Sequence, residues 1–203
     1  MELWNRLRYI SRINNKEWIS MELWNRLRYV LSPQFDIYEQ VSKIVRGNVA
    51  DIGFGTGFGT HLLTVNAHNV TAYEMDECGL NFAEKVFPIP KLQFKFGDIQ
   101  KGIDDGPYDF IVMIDVIEHI KHDKQALLNV KKMLNWNGTA IISTPNRLSR
   151  YRKADTHIRE YGPKEFEGLL KTAFASVNLR TYKMEPLVSS YENPMVAVCR
   201  NEE

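Results

Sequence analysis

The feature that most restricts the fold is a glycine-rich segment between an apolar run and a helical pattern. It reads VADIGFGTGFGT from Val49 to Thr60, with a glycine at every second position from Gly53 to Gly59. Glycine lets the backbone adopt positive φ angles and approach a ligand closely, and the free amides that begin a helix attract an anion. The segment therefore predicts a strand, a tight turn and a helix arranged to bind a nucleotide.

The spacing of these glycines argues against a nicotinamide dinucleotide. The dinucleotide fingerprint is Gly-x-Gly-x-x-Gly, and its third glycine is replaced by Phe58 or by Thr60 in the two registers that begin at Gly53 and Gly55. The chain also contains no Tyr-x-x-x-Lys pair. An NAD-dependent reductase is therefore disfavoured.

From about residue 48, short apolar runs alternate with helical segments, which favours βαβ units on a parallel sheet. The predicted helices are Thr60–Val65, Glu77–Val86, Lys124–Leu134 and Lys164–Thr172. The predicted strands are Asn48–Gly53, Val70–Met75, Leu92–Gly97, Tyr108–Asp115, Thr139–Thr144, Ser176–Lys183 and Met195–Arg200. This order predicts one α/β domain, and the length of 203 residues suits a single domain.

The N-terminal region carries an internal copy, since MELWNRLRY occurs at residues 1–9 and again at residues 21–29. Each copy places leucine and tryptophan at the spacing of an amphipathic helix, and Lys and Arg outnumber Glu over the first 30 residues. Two copies are too few for a stacked repeat fold. We predict an N-terminal helical extension over residues 1–40 and the α/β domain over residues 41–203.

Acidic residues follow the predicted strands at the positions where parallel sheets bind ligands. Glu74 ends the second strand, 21 residues after Gly53, and a carboxylate there can accept both hydroxyls of a ribose. Gly97, Asp98 and Ile99 follow the third strand, and Asp115 ends the fourth. Because these strand ends share one edge, they predict a single ligand site.

The glycine loop reads Asp-x-Gly-x-Gly-x-Gly from Asp51, and it resembles the motif that binds S-adenosylmethionine (SAM) in class I SAM-dependent methyltransferases. The resemblance implies that Asp51 faces the methionine moiety of SAM and that Glu74 and Met75 lie beside the ribose. It also implies that the loop backbone lines the cofactor at Gly53, Gly55 and Gly57.

Later segments extend the resemblance to about three quarters of the chain. YDFIVMIDVIEHI, GTAIISTPNR and HIREYGPKEF are similar to the ubiquinone-biosynthesis O-methyltransferase branch. The resemblance implies a Rossmann-like, seven-stranded, mostly parallel sheet with helices on both faces and an antiparallel last strand, Met195–Arg200. It further implies that Asp98 binds the adenine amino group, that the Ile99 amide binds a ring nitrogen, and that Asp115 also contacts the cofactor.

The cluster after the fourth strand contains Asp115, Glu118 and His119, and three interpretations stay open. His119 is a candidate general base, because the ordinary pKa of histidine lies near neutrality and the acceptor hydroxyl must lose a proton. The same side chains are candidate metal ligands, since carboxylate and imidazole suit Mg²⁺, Mn²⁺ or Fe²⁺. The third interpretation is a packing role.

The metal interpretation rests on a further resemblance. Ubiquinone-type and small-RNA 3′-terminal ribose methyltransferases carry Glu-x-x-Glu-His here, and the RNA enzymes add a later histidine in a segment similar to His157–Tyr161. This implies four ligands, Asp115, Glu118, His119 and His157, with Asp115 departing from the usual Glu. Tyr161 and Arg147 are candidates for the substrate mouth.

We therefore predict an enzyme that uses SAM to methylate a hydroxyl of a small molecule or sugar, with a divalent cation as an open alternative for the second cofactor. The alternatives are a metal-dependent ribose 2′-O-methyltransferase acting on RNA and a SAM-binding module without catalysis. Nucleic acid is less favoured as a partner, because the net charge is +1 and no basic stripe is interleaved with aromatic residues.

The compartment is expected to be the cytoplasm. The N-terminus carries charges where a signal peptide needs an apolar core, and the longest apolar run, Phe110–Ile114, is too short to span a membrane. Cys78 and Cys199 form no Cys-x-x-Cys pair, so we expect two buried thiols in a reducing environment.

Overall fold

Seven strands form one sheet in the computed structural model, which describes residues 32–150 and 153–201. The strands are β1 (Asn48–Ile52), β2 (Asn69–Glu74), β3 (Leu92–Phe96), β4 (Tyr108–Met113), β5 (Leu134–Thr144), β6 (Ser176–Thr181) and β7 (Met195–Arg200). Their order is β3-β2-β1-β4-β5-β7-β6, and β7 is antiparallel to both neighbours while the other pairings are parallel. The predicted fold class is confirmed.

Five helices and one short 3₁₀ turn, Ile117–His119, connect these strands within the described residues. The helices are α1 (Pro33–Ile44), α2 (Phe58–Leu63), α3 (Glu77–Val86), α4 (Asp123–Met133) and α5 (Pro163–Leu170). Helix α1 begins with a proline after Ser32, whose side chain accepts a hydrogen bond from the Phe35 amide. Such starts stabilise the first turn, because they satisfy an amide that has no partner within the helix.

The sheet carries helices on both faces, and the alternation of side chains along each strand supplies both cores. In β4, Ile111 packs with α4 and α5 on one face, whereas the next residue, Val112, packs with α1, α2 and α3 on the other. All these side chains lie in one of two buried apolar clusters. The cores therefore hold the strands rigidly and leave the loops at their ends to form a site.

The order of the strands reverses between β1 and β4. From β1 the chain moves outward through β2 and β3, then returns to place β4 on the other side of β1. Open α/β sheets bind ligands in the crevice beyond the carboxyl ends of the strands at such a point. The glycine loop follows β1 and the acidic cluster follows β4, so both lie at this crevice.

The duplicated segment predicted to be helical, residues 1–30, lies outside the described residues. Helix α1 continues through the predicted boundary between residues 40 and 41, and both Ile37 and Val41 are fully buried in one apolar cluster with the sheet. The position of the boundary stays a prediction, while α1 packs as part of the α/β domain.

Two observations bear on the compartment predicted above. Cys199 is buried as expected, but Cys78 is exposed because it lies in the first turn of α3, so the expectation of two buried thiols is wrong for Cys78. Among the described residues, no helix has the length and apolar character needed to cross a bilayer. The cytoplasmic location stays a prediction.

We expect the core beneath α5 to carry much of the stability. Phe166 is fully buried, so Phe166→Ala should lower the free energy of unfolding by about 3–5 kcal/mol through lost apolar burial and a residual cavity. Trp136→Ala is the matched control, because this side chain is 78% exposed and its loss should change stability by less than about 0.5 kcal/mol. Urea unfolding of both variants measures the difference, and equal losses would contradict the assignment of this core.

Candidate active site

A cavity of about 500 Å³ lies at the carboxyl edge of the central strands. Seven of the residues predicted for the site line it: Gly53, Glu74, Met75, Asp98, Ile99, Asp115 and His119. They come from the ends of four neighbouring strands, β3, β2, β1 and β4. A further cavity of about 360 Å³ lies at the opposite edge, near Asn48 and Tyr108, and contains none of the predicted residues.

The turn after β1 has the backbone conformation expected of a nucleotide-binding loop. Gly53 has φ 72°, and a Cβ built there would lie 2.5 Å from a methyl group of Val116. Only glycine tolerates both the positive φ and this close approach. Gly57, with φ 80°, is the N-cap of α2. Unlike Gly53, neither Gly55 nor Gly57 lines the cavity.

Glu74 ties this loop to the end of β2. Its carboxylate accepts a hydrogen bond from the Gly55 amide at 2.8 Å, and its other oxygen accepts from the amides of Met75 at 2.7 Å and Asp76 at 3.1 Å. A carboxylate offers about four acceptor positions, so one remains for a ligand hydroxyl. The side chain is partly exposed to the cavity, at the position predicted for the ribose.

Asp51 lies beneath the loop and does not line the cavity. It is fully buried, and its two oxygens accept hydrogen bonds from the Tyr38 hydroxyl at 2.9 Å and the Thr60 hydroxyl at 2.6 Å. Burial raises the pKa of Asp51 to about 7, although the two hydroxyls lower it in part. The predicted contact of Asp51 with the methionine moiety stays a prediction, and its contacts in the structure join α1 and α2 to β1.

Asp98 and Ile99 lie at the β3 end of the cavity. One carboxylate oxygen of Asp98 accepts from the Gln100 amide at 3.0 Å, and the other lies 3.3 Å from the Lys101 ammonium. Ile99 is buried, and its carbonyl accepts from the Asn129 side chain at 2.7 Å. Asp98 is thus held at the place predicted for adenine.

Asp115 adopts a left-handed backbone conformation, with φ 53°. The Ser143 hydroxyl makes two hydrogen bonds to this residue. It donates to one Asp115 carboxylate oxygen at 2.5 Å and accepts from the Asp115 amide at 3.0 Å. The other oxygen accepts from the Gln34 side chain at 2.6 Å. Burial raises the pKa of the Asp115 carboxyl, and these two hydrogen bonds oppose the rise.

The structure brings together three of the four predicted metal ligands. Donor atoms of Glu118, His119 and His157 all lie within 4.8 Å of one another, whereas Asp115 is not part of this group. The two imidazole rings stand nearly perpendicular, with centroids 4.9 Å apart. His119 belongs to both the group and the cavity lining, so the group opens onto the cavity.

Hydrogen bonds leave both histidines with one nitrogen directed to the group. The Nδ1 atom of His119 lies 3.0 Å from the Thr156 carbonyl, and Nδ1 of His157 lies 2.8 Å from the Glu160 carboxylate. A carbonyl only accepts, so Nδ1 of His119 is the donor to Thr156, and a neutral ring in that tautomer has its lone pair on Nε2. A neutral imidazole oriented in this way is suited to proton abstraction or metal binding.

Glu118 is the most unusual member of the group. The residue is fully buried, one oxygen accepts from the Thr144 hydroxyl at 3.1 Å, and the other has no hydrogen-bond partner among the described residues. Burial, and then the negative charge of Asp115, raises the pKa of Glu118 to about 8. An unpartnered carboxylate oxygen in the interior is costly, and an approaching cation or ligand donor would relieve that cost.

The loop that carries His157 is attached through the main chain. The amides of Ile158 and Arg159 both donate to the Glu118 carbonyl, at 2.9 and 3.1 Å. The Arg159 guanidinium and the Tyr161 hydroxyl both bind the Asp123 carboxylate at the start of α4. Tyr161 is buried, so it does not border a substrate mouth, while Arg147 is half-exposed and pairs with Glu165 at 2.9 Å.

Several residues at the site were absent from the sequence-based prediction. Gln34 gave no signal, because it contacts Asp115 only through tertiary structure, whereas Glu160 contacts His157 three residues earlier in the same loop. Ser143 and Thr144 end β5, and the rule that ligands bind at the carboxyl ends of strands was sufficient to select them.

Comparison with known proteins identifies the family to which this chain belongs. The model of a methyltransferase domain matches residues 23–173, about three quarters of the chain. The chain belongs to this methyltransferase family. Among solved structures, a TehB-like SAM-dependent methyltransferase from Corynebacterium glutamicum superposes with a TM-score of 0.70 over 98% of this chain and 99% of that one, at 18% identity. The likeness confirms the class I methyltransferase fold.

Two relatives indicate the cofactor of the family. A probable SAM-dependent methyltransferase from Mycolicibacterium smegmatis is 27% identical over 144 residues, which cover 68% of this chain and 55% of that protein. A ubiquinone biosynthesis O-methyltransferase from Rickettsia typhi is 30% identical over 128 residues, 61% of this chain and 50% of that protein. The chain thus spans about half the length of the curated relatives it matches. The name of the Mycolicibacterium relative specifies SAM, which is the cofactor that the glycine loop predicted.

We expect the buried carboxyl of Asp51 to make the methyltransferase less stable as the pH rises. Its pKa of about 7 lies above the ordinary 3.8, so the folded protein binds the proton more tightly than the unfolded chain. Between about pH 4 and pH 7 the contribution of Asp51 to the free energy of unfolding therefore falls. In Asp51→Asn this loss is absent, and the stability of the variant relative to the parent protein should increase over that range and level off above pH 7.

Urea unfolding at several pH values from 5 to 8.5 measures this difference. Asp104→Asn, at an exposed aspartate in a loop, is the control and should follow the parent protein at every pH. A difference between Asp51→Asn and the parent that does not vary with pH would contradict the raised pKa.

Proposed function

We propose that this methyltransferase transfers the methyl group of SAM to a hydroxyl oxygen of a small molecule or sugar. The observation that carries the proposal is that one cavity is lined by the predicted cofactor residues and, through His119, borders the group Glu118–His119–His157. The cofactor and a set of proton acceptors or metal ligands would then meet at one point. The molecule that accepts the methyl group would bind between the cofactor and this group.

The proposed cofactor pose follows the order of the strands. Asp98 after β3 would bind the adenine, Glu74 at the end of β2 the ribose, and the turn at Gly53 after β1 the methionine chain. The acceptor oxygen then attacks the methyl carbon, the carbon–sulfur bond breaks, and the electron pair of that bond remains on sulfur. S-adenosylhomocysteine (SAH) is released, and the hydroxyl proton passes to a base.

We further propose that Glu118, His119 and His157 hold a divalent cation, Mg²⁺, Mn²⁺ or Fe²⁺. The fit is supported by two imidazoles and a carboxylate whose donor atoms lie within 4.8 Å of one another, and by one Glu118 oxygen without a hydrogen-bond partner among the described residues. When bound, such a cation supplies Lewis acidity that lowers the pKa of an acceptor hydroxyl. The metal-free alternative assigns proton removal to Nε2 of His119, and the two are separated by experiment.

The proposal also includes the class of acceptor, the catalytic role and the location of the protein. A small-molecule acceptor is favoured over the ribose of RNA, because the net charge is +1 and the sequence has no basic stripe interleaved with aromatic residues. A catalytic role is favoured over a passive SAM-binding module, since the cavity adjoins the group Glu118–His119–His157. The cytoplasm remains the expected location.

The cofactor assignment predicts that Glu74→Ala weakens binding of SAH about tenfold or more. The loss reflects a charge-assisted hydrogen bond to the ribose, worth about 1.5–3 kcal/mol. Glu84→Ala, at an exposed position on α3, is the control and should bind SAH as the parent protein does. Isothermal titration calorimetry measures both, and unchanged affinity in Glu74→Ala or tighter binding of NADH than of SAH would refute the assignment.

The metal assignment predicts a saturable Mn²⁺ site in the purified protein. His157→Ala should weaken Mn²⁺ binding at least tenfold, whereas His122→Ala, which removes an exposed imidazole at the start of α4, should not. With a panel of phenol and diol acceptors, excess chelator should abolish methyl transfer and added Mn²⁺ or Mg²⁺ should restore it. SAH affinity should be nearly unchanged by the chelator. Full turnover in chelator would establish the metal-free base instead.

A further inference from the structure

Helix α1 carries two polar side chains that reach the edge of the sheet. Gln34 and Tyr38 are four residues apart, so they lie on the same face of the helix. Gln34 donates to Asp115 at 2.6 Å, and Tyr38 donates to Asp51 at 2.9 Å. These aspartates belong to β1 and to the turn after β4, two strands that are neighbours in the sheet. One helix therefore orients a carboxylate on each side of the crevice.

The order of the strands assigns each end of the cavity to a part of the cofactor. Asp98, Glu74, Gly53 and Asp115 follow β3, β2, β1 and β4, which is also their spatial order. Neighbouring strands are about 4.8 Å apart, so Asp98 and Asp115 are separated by roughly 14 Å. SAM consists of an adenine, a ribose, a sulfonium and an amino-acid chain in line. With the nucleoside over β3 and β2, the ammonium and carboxylate of that chain lie beside Gly53 and Asp115.

The oriented oxygens of Asp115 can accept hydrogen bonds from an ammonium group. Each of its oxygens already accepts one hydrogen bond, from Ser143 and from Gln34, and each retains a further acceptor position. Both donors are neutral side chains, so they hold the carboxyl in place without an ion pair. A cationic ligand group that reaches Asp115 meets oriented oxygens in a partly buried setting, where its attraction to the ionised form is stronger than in water.

We propose that Gln34 is a positioning residue for the amino-acid end of SAM: it holds the Asp115 carboxylate where that carboxylate accepts from the ammonium group. The inference rests on the proposed cofactor pose. It assigns a role in cofactor recognition to α1, a helix that precedes the glycine loop and carries no part of the motif. The amide of Gln34 acts through Asp115 and does not need to touch the reacting atoms.

The fold does not depend on this hydrogen bond. Helix α1 is anchored by the buried apolar side chains of Phe35, Ile37 and Val41, whereas Gln34 is only partly buried. Gln34→Met keeps the length of the side chain and removes the donor. We therefore expect this variant to retain its melting temperature within a few degrees. Gln34→Asn, whose amide is too short to reach Asp115, is a second variant with the same expectation.

The experiment compares two nucleosides that differ only at the amino-acid end. SAH carries the ammonium and carboxylate, while 5′-methylthioadenosine lacks both. By calorimetry, Gln34→Met and Gln34→Asn should bind SAH about five- to tenfold more weakly and bind methylthioadenosine within twofold of the parent protein. Gln40→Met, on the same helix and away from the cavity, is the matched control and should bind both ligands normally.

Equal weakening for both ligands, or none for either, would overturn the proposed role of Gln34, since a merely structural contact cannot distinguish the two nucleosides. A parent protein that binds neither nucleoside would instead overturn the cofactor pose, and this inference with it. The two failures are thus distinguishable in one set of titrations.

Discussion

The close approach of two turns determines the shape of the site. The turn at Gly53 packs so tightly against Val116 that no side chain fits between them, and this contact joins the end of β1 to the segment after β4. Because both strands are held by cores on each face of the sheet, the separation of their ends is fixed. The cavity, the left-handed conformation of Asp115 and the 3₁₀ turn that carries Glu118 and His119 all follow from that geometry.

Three carboxyl groups lie behind and beside this cavity. Asp51, Asp115 and Glu118 all have pKa values raised by burial, and Glu118 is raised further by its neighbour Asp115. Hydroxyls and one side-chain amide donate to most of their oxygens. A raised pKa means that burial disfavours the ionised form of these carboxyls, and a positive charge nearby would favour it again. In the proposed function, SAM and the proposed divalent cation would bring that positive charge.

Much of the fold was predictable, because its periodic patterns are local. All seven strands and four of the five helices lie where the apolar runs placed them, but β5 begins at Leu134, five residues before the predicted Thr139. Asn135, Asn137 and Gly138 are typical of a turn, and they lie in an irregularity of the β4–β5 register, between the pairs Tyr108–Leu134 and Phe110–Thr139. At the site, Glu74 and Asp98 were predictable from strand ends. Gln34 was not, since 81 residues separate it from Asp115 and no local pattern records that contact.

The loop that carries His157 is bound to the rest of the site through main-chain amides on the Glu118 carbonyl. Main-chain attachment does not depend on which side chains the loop presents, so the exposed residue Ile158 can change without loosening the histidine. The cofactor side of the crevice has less freedom, because the Glu74 carboxylate binds the loop amide of Gly55 and the turn at Gly53 leaves no room for a side chain. The two halves of the active site can therefore diversify at different rates: related enzymes would retain the same methyl donor while exchanging one short segment to accept a different molecule.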